Sequence, residues 1–211
     1  MNKLWLTSLL LLSLSIVKGQ NLSIGVTAGF GHSWTNLEPK NFHPAYNIGA
    51  KVVYSFQSNW GVSGDLKFSS EGATVGPDGD ENVLRFNYIR VPLQAIYFFG
   101  KYGDRIRPKV SIGPSIGIFA GGKTKSYQND EVISEGSSSD IVKGFDFGAT
   151  FGGGLNMRIA PATWLNADLS YYLGLANVVE TTGDIKNRNI GINIGVTFPL
   201  ATLRPEKVTK P

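Results

Sequence analysis

The chain has 211 residues, of which 26 are glycine and none is cysteine, and only 17% are charged, against about 25% in ordinary soluble domains. The missing cysteine excludes disulfide bonds, a cysteine-based zinc site and a thiol nucleophile. A net charge of +4 is too small to indicate a nucleic-acid surface, and a hydrophobic content of 42% argues against disorder.

Residues 1–19 have the layout of a secretory signal peptide. Lys3 supplies a short positive segment, residues 4–17 are mostly apolar, and the small residue Gly19 precedes the predicted cleavage before Gln20. The apolar run is shorter than the roughly 20 residues of a transmembrane helix. The sequence therefore predicts export of a mature chain that begins at Gln20.

From Leu22 onward, apolar and polar residues alternate with the period of a β-strand. Eight runs follow in chain order, at residues 22–34, 46–57, 60–68, 84–99, 109–118, 145–158, 165–173 and 189–198. In the fourth run the alternation changes parity, which predicts a β-bulge near Tyr88–Arg90. Pro108 and Pro114 argue against a regular fifth strand, because proline has no N–H for the ladder.

The connections between these runs alternate strictly between short and long. Short turns occupy residues 57–59, 100–105 and 159–162, whereas long polar loops occupy 35–45, 69–82, 122–143 and 176–188. All long loops therefore leave one end of the sheet, as in bacterial outer-membrane barrels. The predicted fold is all-β, an eight-stranded antiparallel up-and-down transmembrane β-barrel over residues 20–200, followed by a polar periplasmic tail at 201–211.

The alternation also assigns residues to two faces. Aromatic girdles are predicted at the loop end (Trp34, Tyr46, Phe68, Phe86, Phe145 and Tyr171) and at the turn end (Tyr54, Phe56, Trp60, Tyr97, Phe99 and Phe198). The other face is predicted to line the lumen, with seven cations (Lys51, Lys67, Arg85, Arg90, Arg107, Lys109 and Arg158) against three acids (Asp65, Asp146 and Asp168). Buried charges must pair or keep water, so this predicts a salt-bridged interior. The cationic excess leaves a narrow anion-favouring pore as an alternative.

Three further motifs point to no catalytic, cofactor or metal-binding residue. Residues 117–124 satisfy the P-loop pattern, but a polar loop rather than a helix is expected after Thr124. Residues 77–81 begin like a calcium loop, but Val83 and Ile89 stand where glycine and glutamate are needed, which leaves weak calcium or lipopolysaccharide-bridging binding as a lesser alternative. His32 and Ser33 point to opposite faces, and we therefore expect no enzyme activity.

Four segments resemble the Bacteroidota-type outer-membrane β-barrel proteins, which are also described as porin-family or PorT-like. They are Tyr88-Ile89-Arg90-Val91-Pro92-Leu93, Gly113-Pro114-Ser115-Ile116-Gly117, residues 147–155 and residues 189–200. The resemblance spans residues 20–200 and makes the prolines of the fourth and fifth runs part of the pattern. It implies an outer-membrane location in a Gram-negative-type envelope and insertion by the barrel-assembly machinery.

The same resemblance implies contact with outer-membrane lipid and lipopolysaccharide. The net charge and the dismissed motifs predict no nucleic-acid partner and no cofactor. It suggests a structural or loop-mediated binding role, associated with the envelope or secretion machinery, for a protein partner that is unknown. The longest loop, 122–143, is expected to be mobile. Besides the pore, a soluble lipocalin-like calyx with its apolar face inward remains an alternative.

Overall fold

The computed structural model describes residues 21–37, 40–56, 58–179 and 184–200. In chain order the strands are β1 (Leu22–Thr35), β2 (Lys40–Asn41), β3 (Pro44–Ser55), β4 (Trp60–Val75), β5 (Asn82–Phe98), β6 (Ile106–Gln128), β7 (Glu131–Ser137), β8 (Phe145–Ala160), β9 (Thr163–Gly174) and β10 (Asn187–Pro199). A short 3-10 helix spans Ser138–Asp140. Within the described residues, no helix is both long and apolar enough to cross a membrane. The predicted signal peptide and polar tail lie outside the described residues.

Eight of these strands, all except β2 and β7, form one antiparallel meander that closes on itself. Each pairs with the long strands next to it in sequence, and β1 closes the sheet by pairing with β10 from Ser23↔Pro199 to Thr35↔Asn187. Every long strand is therefore paired on both sides, which removes open sheet edges from the barrel wall. The predicted eight-stranded up-and-down barrel is confirmed.

The barrel is apolar outside and polar inside. On β1, Ile24, Val26 and Phe30 are 40%, 66% and 61% exposed, whereas Thr27 and Ser33 on the opposite parity are buried. A water-soluble calyx would instead turn its apolar face inward around a ligand. This polarity excludes the lipocalin-like alternative and is that of a barrel whose outer surface meets lipid.

A bulge occurs close to the position predicted near Tyr88–Arg90, but its assignment to β5 is wrong. Even-numbered residues of β5 face the interior throughout, so Phe86 and Tyr88 are buried together with the residues that follow on the same parity. The register shift is instead on β6, where Ala120 and Gly121 lie opposite Asn87 and Gly121 has a φ of 106°. The hydrophobic alternation could not show this, because aromatic side chains occupy the inner face at this level.

The fifth predicted run is one continuous strand, but its ladder with β5 is interrupted at Pro114, so the irregularity expected from this proline is confirmed. β6 continues from Ile106 to Gln128. Gly113 and Pro114 of β6 are not paired with β5. The ladder passes from the pair Pro92↔Ser115 directly to the pair Ala95↔Ile112. The missing proline N–H therefore falls where no ladder hydrogen bond is made.

Glycines allow close approach of neighbouring strands inside the narrow barrel. A Cβ added to Gly25 would overlap the carbonyl oxygen of Val196, and one added to Gly113 would overlap that of Leu93. Strong curvature in a small barrel brings inward positions this close together. The high glycine content of the chain thus has a structural cause.

Strand pairing extends beyond the predicted strands at the loop end. β4 continues to Val75 and β5 begins at Asn82, so the predicted loop 69–82 is only a turn at 76–81. β6 turns through Asn129 and Asp130, both with positive φ, into β7. Much of the predicted mobile loop 122–143 is therefore a paired hairpin. Hydrophobic alternation ends in both extensions although backbone pairing continues, because residues 69–74 of β4 are buried on both faces and β7 is exposed on both.

Candidate functional site

The interior nearer the loop end is built around Arg90. Its Nε and Nη2 donate to the two carboxylate oxygens of Glu71, each at 2.7 Å, and Nη2 also donates to Asp146 Oδ2 at 2.9 Å. The guanidinium carbon lies 4.0 Å from the ring centroid of Tyr172 and 5.1 Å from that of Tyr88. Arg90, Glu71 and Asp146 are 5%, 2% and 0% exposed. This arginine cluster crosslinks β4, β5, β8 and β9 through charge-assisted and cation–π contacts.

A second layer of ion pairs lies between the arginine cluster and the turn end. Asp65 on β4 contacts Lys51 Nζ at 3.1 Å and Lys67 Nζ at 3.5 Å. Lys109 on β6 reaches across to Asp168 on β9 at 3.0 Å. All five side chains are largely shielded from solvent. Each charge has an opposite partner, which offsets the cost of its burial.

An apolar cluster with one arginine closes the turn end. Val53, Ile96 and Phe98 pack together and are 6%, 2% and 1% exposed. The guanidinium carbon of Arg107 lies 4.2 Å from the Phe98 ring centroid, and its Nη2 donates to the carbonyl of Ser58 at 3.2 Å. These residues form the turn-end plug.

A second apolar cluster and two loops close the other end. Phe86 and Tyr88 pack against Val142, which follows the 3-10 helix. Val142 forms a β-bridge with Val179 of the β9–β10 connection. Ser138 Oγ donates to a β5 backbone carbonyl at 2.8 Å and thereby holds the helix over the barrel mouth. These contacts form the loop-end plug.

Little space remains between the two plugs. Members of both ion-pair layers, including Lys51, Asp65, Arg90 and Asp168, line a cavity of about 60 Å³. At roughly 30 Å³ per water this volume holds only a few water molecules. Eight strands leave an interior that side chains can fill, and here they do so.

Most predicted lumen residues lie inside the barrel, but two do not. The inward residues are Lys51, Asp65, Lys67, Arg90, Arg107, Lys109, Asp146 and Asp168. Arg85 lies on the outward parity of β5, with its guanidinium carbon 5.8 Å from the Tyr46 ring centroid. Arg158 is exposed at the turn-end rim, 5.8 Å from the Trp164 ring.

Sequence reasoning missed Glu71, because it fell in a predicted loop. The signal was present, since Glu71 continues the inward parity of Asp65 and Lys67 along β4. With Glu71 inside, and with Arg85 and Arg158 elsewhere, the described interior charges are almost balanced. The predicted cationic excess, on which the anion-pore alternative depended, is lost.

The predicted girdle residues lie on the outside of the barrel with one exception. Tyr46, Phe68, Phe145, Phe56, Trp60, Phe99 and Phe198 are exposed, and Trp34, Tyr171, Tyr54 and Tyr97 are half-buried. At the turn end, Tyr97 packs edge-on against Trp60 and Phe99 at centroid distances of 5.1 and 5.2 Å. Phe86 is the exception, because it is 1% exposed and belongs to the loop-end plug.

His32 and Ser33 point to opposite faces of β1. The His32 ring stacks between Trp34 and Phe42, at centroid distances of 5.0 and 5.1 Å. Ser33 is 1% exposed on the inward parity. Base and nucleophile are therefore on different sides of the barrel wall.

His43 is a buried structural group in the loop between β2 and β3. Its backbone N–H donates to His32 Nδ1 at 3.1 Å, and its own Nδ1 lies 3.0 Å from Thr74 Oγ1. Burial, assisted by the nearby charge of Arg85, lowers the pKa of His43 from 6.5 to about 4. The imidazole is therefore neutral at pH 7.

The P-loop and calcium-loop patterns do not adopt the corresponding geometries. Residues 117–124 run through β6 as extended strand, with no helix start to hold a phosphate. In the turn at 76–81, Asp80 Oδ1 accepts from the N–H of Asn129 at 3.0 Å, and Glu81 Oε1 accepts from Asn41 at 2.6 Å. These carboxylates hold loops together. The part of the chain that the structure describes contains no cluster of metal-type ligands.

Solved structures with the same architecture include that of Neisserial surface protein A. It is 13% identical, with a TM-score of 0.54 over 85% of this chain and 97% of that chain. The attachment invasion locus protein Ail of Yersinia pestis is 16% identical, with a TM-score of 0.46 over 83% of this chain and 98% of that chain. The N-terminal barrel domain of Pseudomonas aeruginosa OprF is 20% identical, with a TM-score of 0.45 over 85% and 98%.

Sequence comparison assigns the family. No curated protein matches the chain. A family model described as outer membrane protein beta-barrel domain matches residues 18–180, which is well over half of the chain. That match agrees with the closed barrel, its apolar outside and its polar inside. The chain therefore belongs to the outer membrane protein beta-barrel domain family and is a protein of the outer membrane.

Proposed function

We propose that this protein is a non-conducting structural barrel that binds partners through its surface at the loop end. The observation that carries the proposal is the filled interior. The turn-end plug, two layers of ion pairs and the loop-end plug follow one another along the barrel and leave a cavity of about 60 Å³. A continuous water column, which conduction requires, has no room there.

The loop end offers the larger binding surface. Among the described strands β7 pairs only with β6, and all of its residues are exposed, including Val132 at 50% and Ile133 at 61%. Beyond the barrel, β4, β5, β6 and β7 continue as one paired extension. Apolar side chains on an exposed strand favour contact with another molecule over a purely structural role.

The proposed setting of this barrel includes export and assembly. Residues 1–19 direct export and are removed, the barrel-assembly machinery inserts residues 20–200, and residues 201–211 form a periplasmic tail. The four PorT-like segments support placement in the Bacteroidota-type branch and an association with envelope or secretion machinery. Lipopolysaccharide surrounds the outer half of the barrel. Catalysis forms no part of the proposed role, and the separation of His32 from Ser33 supports this.

Planar-bilayer recording tests the closed interior. The purified full chain is expected to give no ion-selective openings above lipid background, in membranes where a general porin gives large steps. Discrete anion-selective openings that weaken in Lys109→Gln would overturn the proposal in favour of the pore. Lys109 is the informative position because it lies in the middle of the lumen beside Asp168.

Cell fractionation and gel migration test the location. The protein is expected in the outer-membrane fraction and to migrate differently on a denaturing gel before and after boiling. Recovery as a soluble periplasmic monomer without detergent would contradict the membrane assignment. Mass spectrometry of the purified N-terminus checks the predicted cleavage before Gln20.

A further inference from the structure

Three cationic side chains meet on the outward face of the β5–β6 ladder, on the loop side of the apolar band. Arg85 on β5 is paired in register with Lys123 on β6, and Val83 is paired with Lys125. Inward residues of β6 are odd-numbered up to Phe119. The bulge at residues 120–121 reverses the parity, and therefore Lys123 and Lys125 face outward beside Arg85.

The height of this cluster corresponds to lipid headgroups. Ile89 on β5 and Ile118 on β6 are 37% and 57% exposed and belong to the apolar outer face. Arg85 lies four residues beyond Ile89, which at ~3.3 Å per residue and a tilt of about 40° is roughly 10 Å along the membrane normal. A headgroup layer extends about 5–8 Å beyond the hydrocarbon on each side. Flexible cationic side chains at this position reach that layer.

The three cations are only partly neutralised. Arg85 donates to Ser70 Oγ at 3.2 Å and has no carboxylate partner among the described residues. Lys123 and Lys125 share one carboxylate, that of Glu135, at 3.2 and 3.5 Å. The hydrogen bond from Lys123 and the charge of Lys125 lower the pKa of Glu135. The cluster therefore retains an excess of positive charge at neutral pH.

The same residues form a groove rather than a flat patch. Val83, Arg85, Lys123, Lys125 and Tyr127 line a depression of about 260 Å³ on the outer surface. Its floor combines an aliphatic and an aromatic side chain with three nitrogen donors. An anion with an attached sugar fits such a lining, because the planar guanidinium can bind two phosphate oxygens while the ammonium groups act as point charges.

We propose that Arg85, Lys123 and Lys125 bind a phosphate group of a phosphorylated glycolipid in the outer leaflet. The lipid source is favoured over free phosphate because exposed apolar side chains for acyl chains, Phe68 and Ile89 among them, lie directly below the cations. The inference deepens the proposed contact with lipopolysaccharide, and it requires only that the barrel sits in a bilayer. The bulge on β6 has a function in this arrangement, since it turns two lysines toward the lipid.

Binding to mixed micelles of stated composition tests the proposal. The full chain, folded in detergent, is mixed with micelles of the same detergent and phosphatidylcholine that contain diphosphorylated lipid A or the same lipid after removal of its phosphates, in EDTA to exclude bridging cations. The double variant Arg85→Gln/Lys123→Gln is compared with a control double variant, Lys101→Gln/Arg105→Gln. The control removes one lysine and one arginine from the turn end instead. Heat-modifiable migration confirms that each variant is folded.

We expect wild type to prefer the phosphorylated lipid. The Arg85/Lys123 variant is expected to bind this lipid about 30-fold more weakly, because each cation near an anionic surface contributes about 1 kcal/mol of binding free energy. The Lys101/Arg105 variant is expected to bind like wild type. Equal binding of both lipids by wild type, or equal losses in both variants, would overturn the proposal. Full displacement by millimolar inorganic phosphate would assign the groove to free phosphate instead. Failure of fractionation to the outer membrane would contradict the proposed function without changing this binding result.

Discussion

Replacing Arg90 by alanine removes the only cation that contacts two buried carboxylates in the described interior. Glu71 is 2% exposed and Asp146 is 0% exposed. Both would lose hydrogen bonds of 2.7–2.9 Å to the guanidinium, and no other cation is paired with either of them among the described ion pairs. The alanine side chain would also leave a gap where the guanidinium now lies over the rings of Tyr88 and Tyr172.

The expected loss of unfolding free energy is about 5 kcal/mol. Removing one partner of a buried ion pair costs about 3–5 kcal/mol, because the other charge stays buried without compensation. Here two carboxylates are left, and a cation–π contact worth up to about 2 kcal/mol is lost as well. These terms are not independent, so the upper end of the single-pair range is the appropriate expectation.

Urea unfolding of the refolded protein in detergent micelles, followed by tryptophan fluorescence, measures this loss. Arg90→Lys keeps the charge but not the two-pronged geometry, and is expected to fall between wild type and Arg90→Ala. The triple variant Arg90→Met, Glu71→Gln, Asp146→Asn removes all three charges and is expected to be within about 2 kcal/mol of wild type. A loss below 1 kcal/mol in Arg90→Ala, or a triple variant as unstable as Arg90→Ala, would refute the reasoning.

Three further outcomes are expected. His43 stays neutral in the folded protein down to about pH 4 but is protonated below about pH 6.5 in the unfolded chain. Its contribution to the free energy of unfolding is therefore complete above pH 6.5 and falls toward pH 4. Wild type should therefore lose about 2.5 kcal/mol more than His43→Gln between pH 7 and pH 4.5 in urea unfolding; equal losses would contradict this. Deleting residues 127–133 leaves Ser126 and Ser134 as a two-residue turn between the paired Lys125 and Glu135, and heat-modifiable migration should persist. Gly113→Ala should lower the free energy of unfolding by about 1–3 kcal/mol, because the added Cβ would overlap the carbonyl oxygen of Leu93. Gly153→Ala should change this free energy little, because the added Cβ would meet open space.

The barrel itself was predictable because its physical cause is local in sequence. A strand that separates lipid from a polar interior must alternate, and β1 and β10 do so over their full length. The strict alternation of short and long connections then leaves one meander topology. Most inward charges, such as Lys51, Asp65 and Asp168, could also be assigned from parity alone.

Only the tertiary structure decided how these charges pair and which way certain residues face. Arg90 and Asp146 are 56 positions apart, and nothing in the sequence between them marks their contact. The β6–β7 hairpin lies beyond the apolar band, where both faces of a strand meet polar surroundings and alternation carries no signal. The bulge at Gly121 depends on the register with β5, and that register sets the outward direction of Lys123 and Lys125. Polarity along one strand thus determines the barrel, whereas contacts between strands determine what fills it and what its surface can bind.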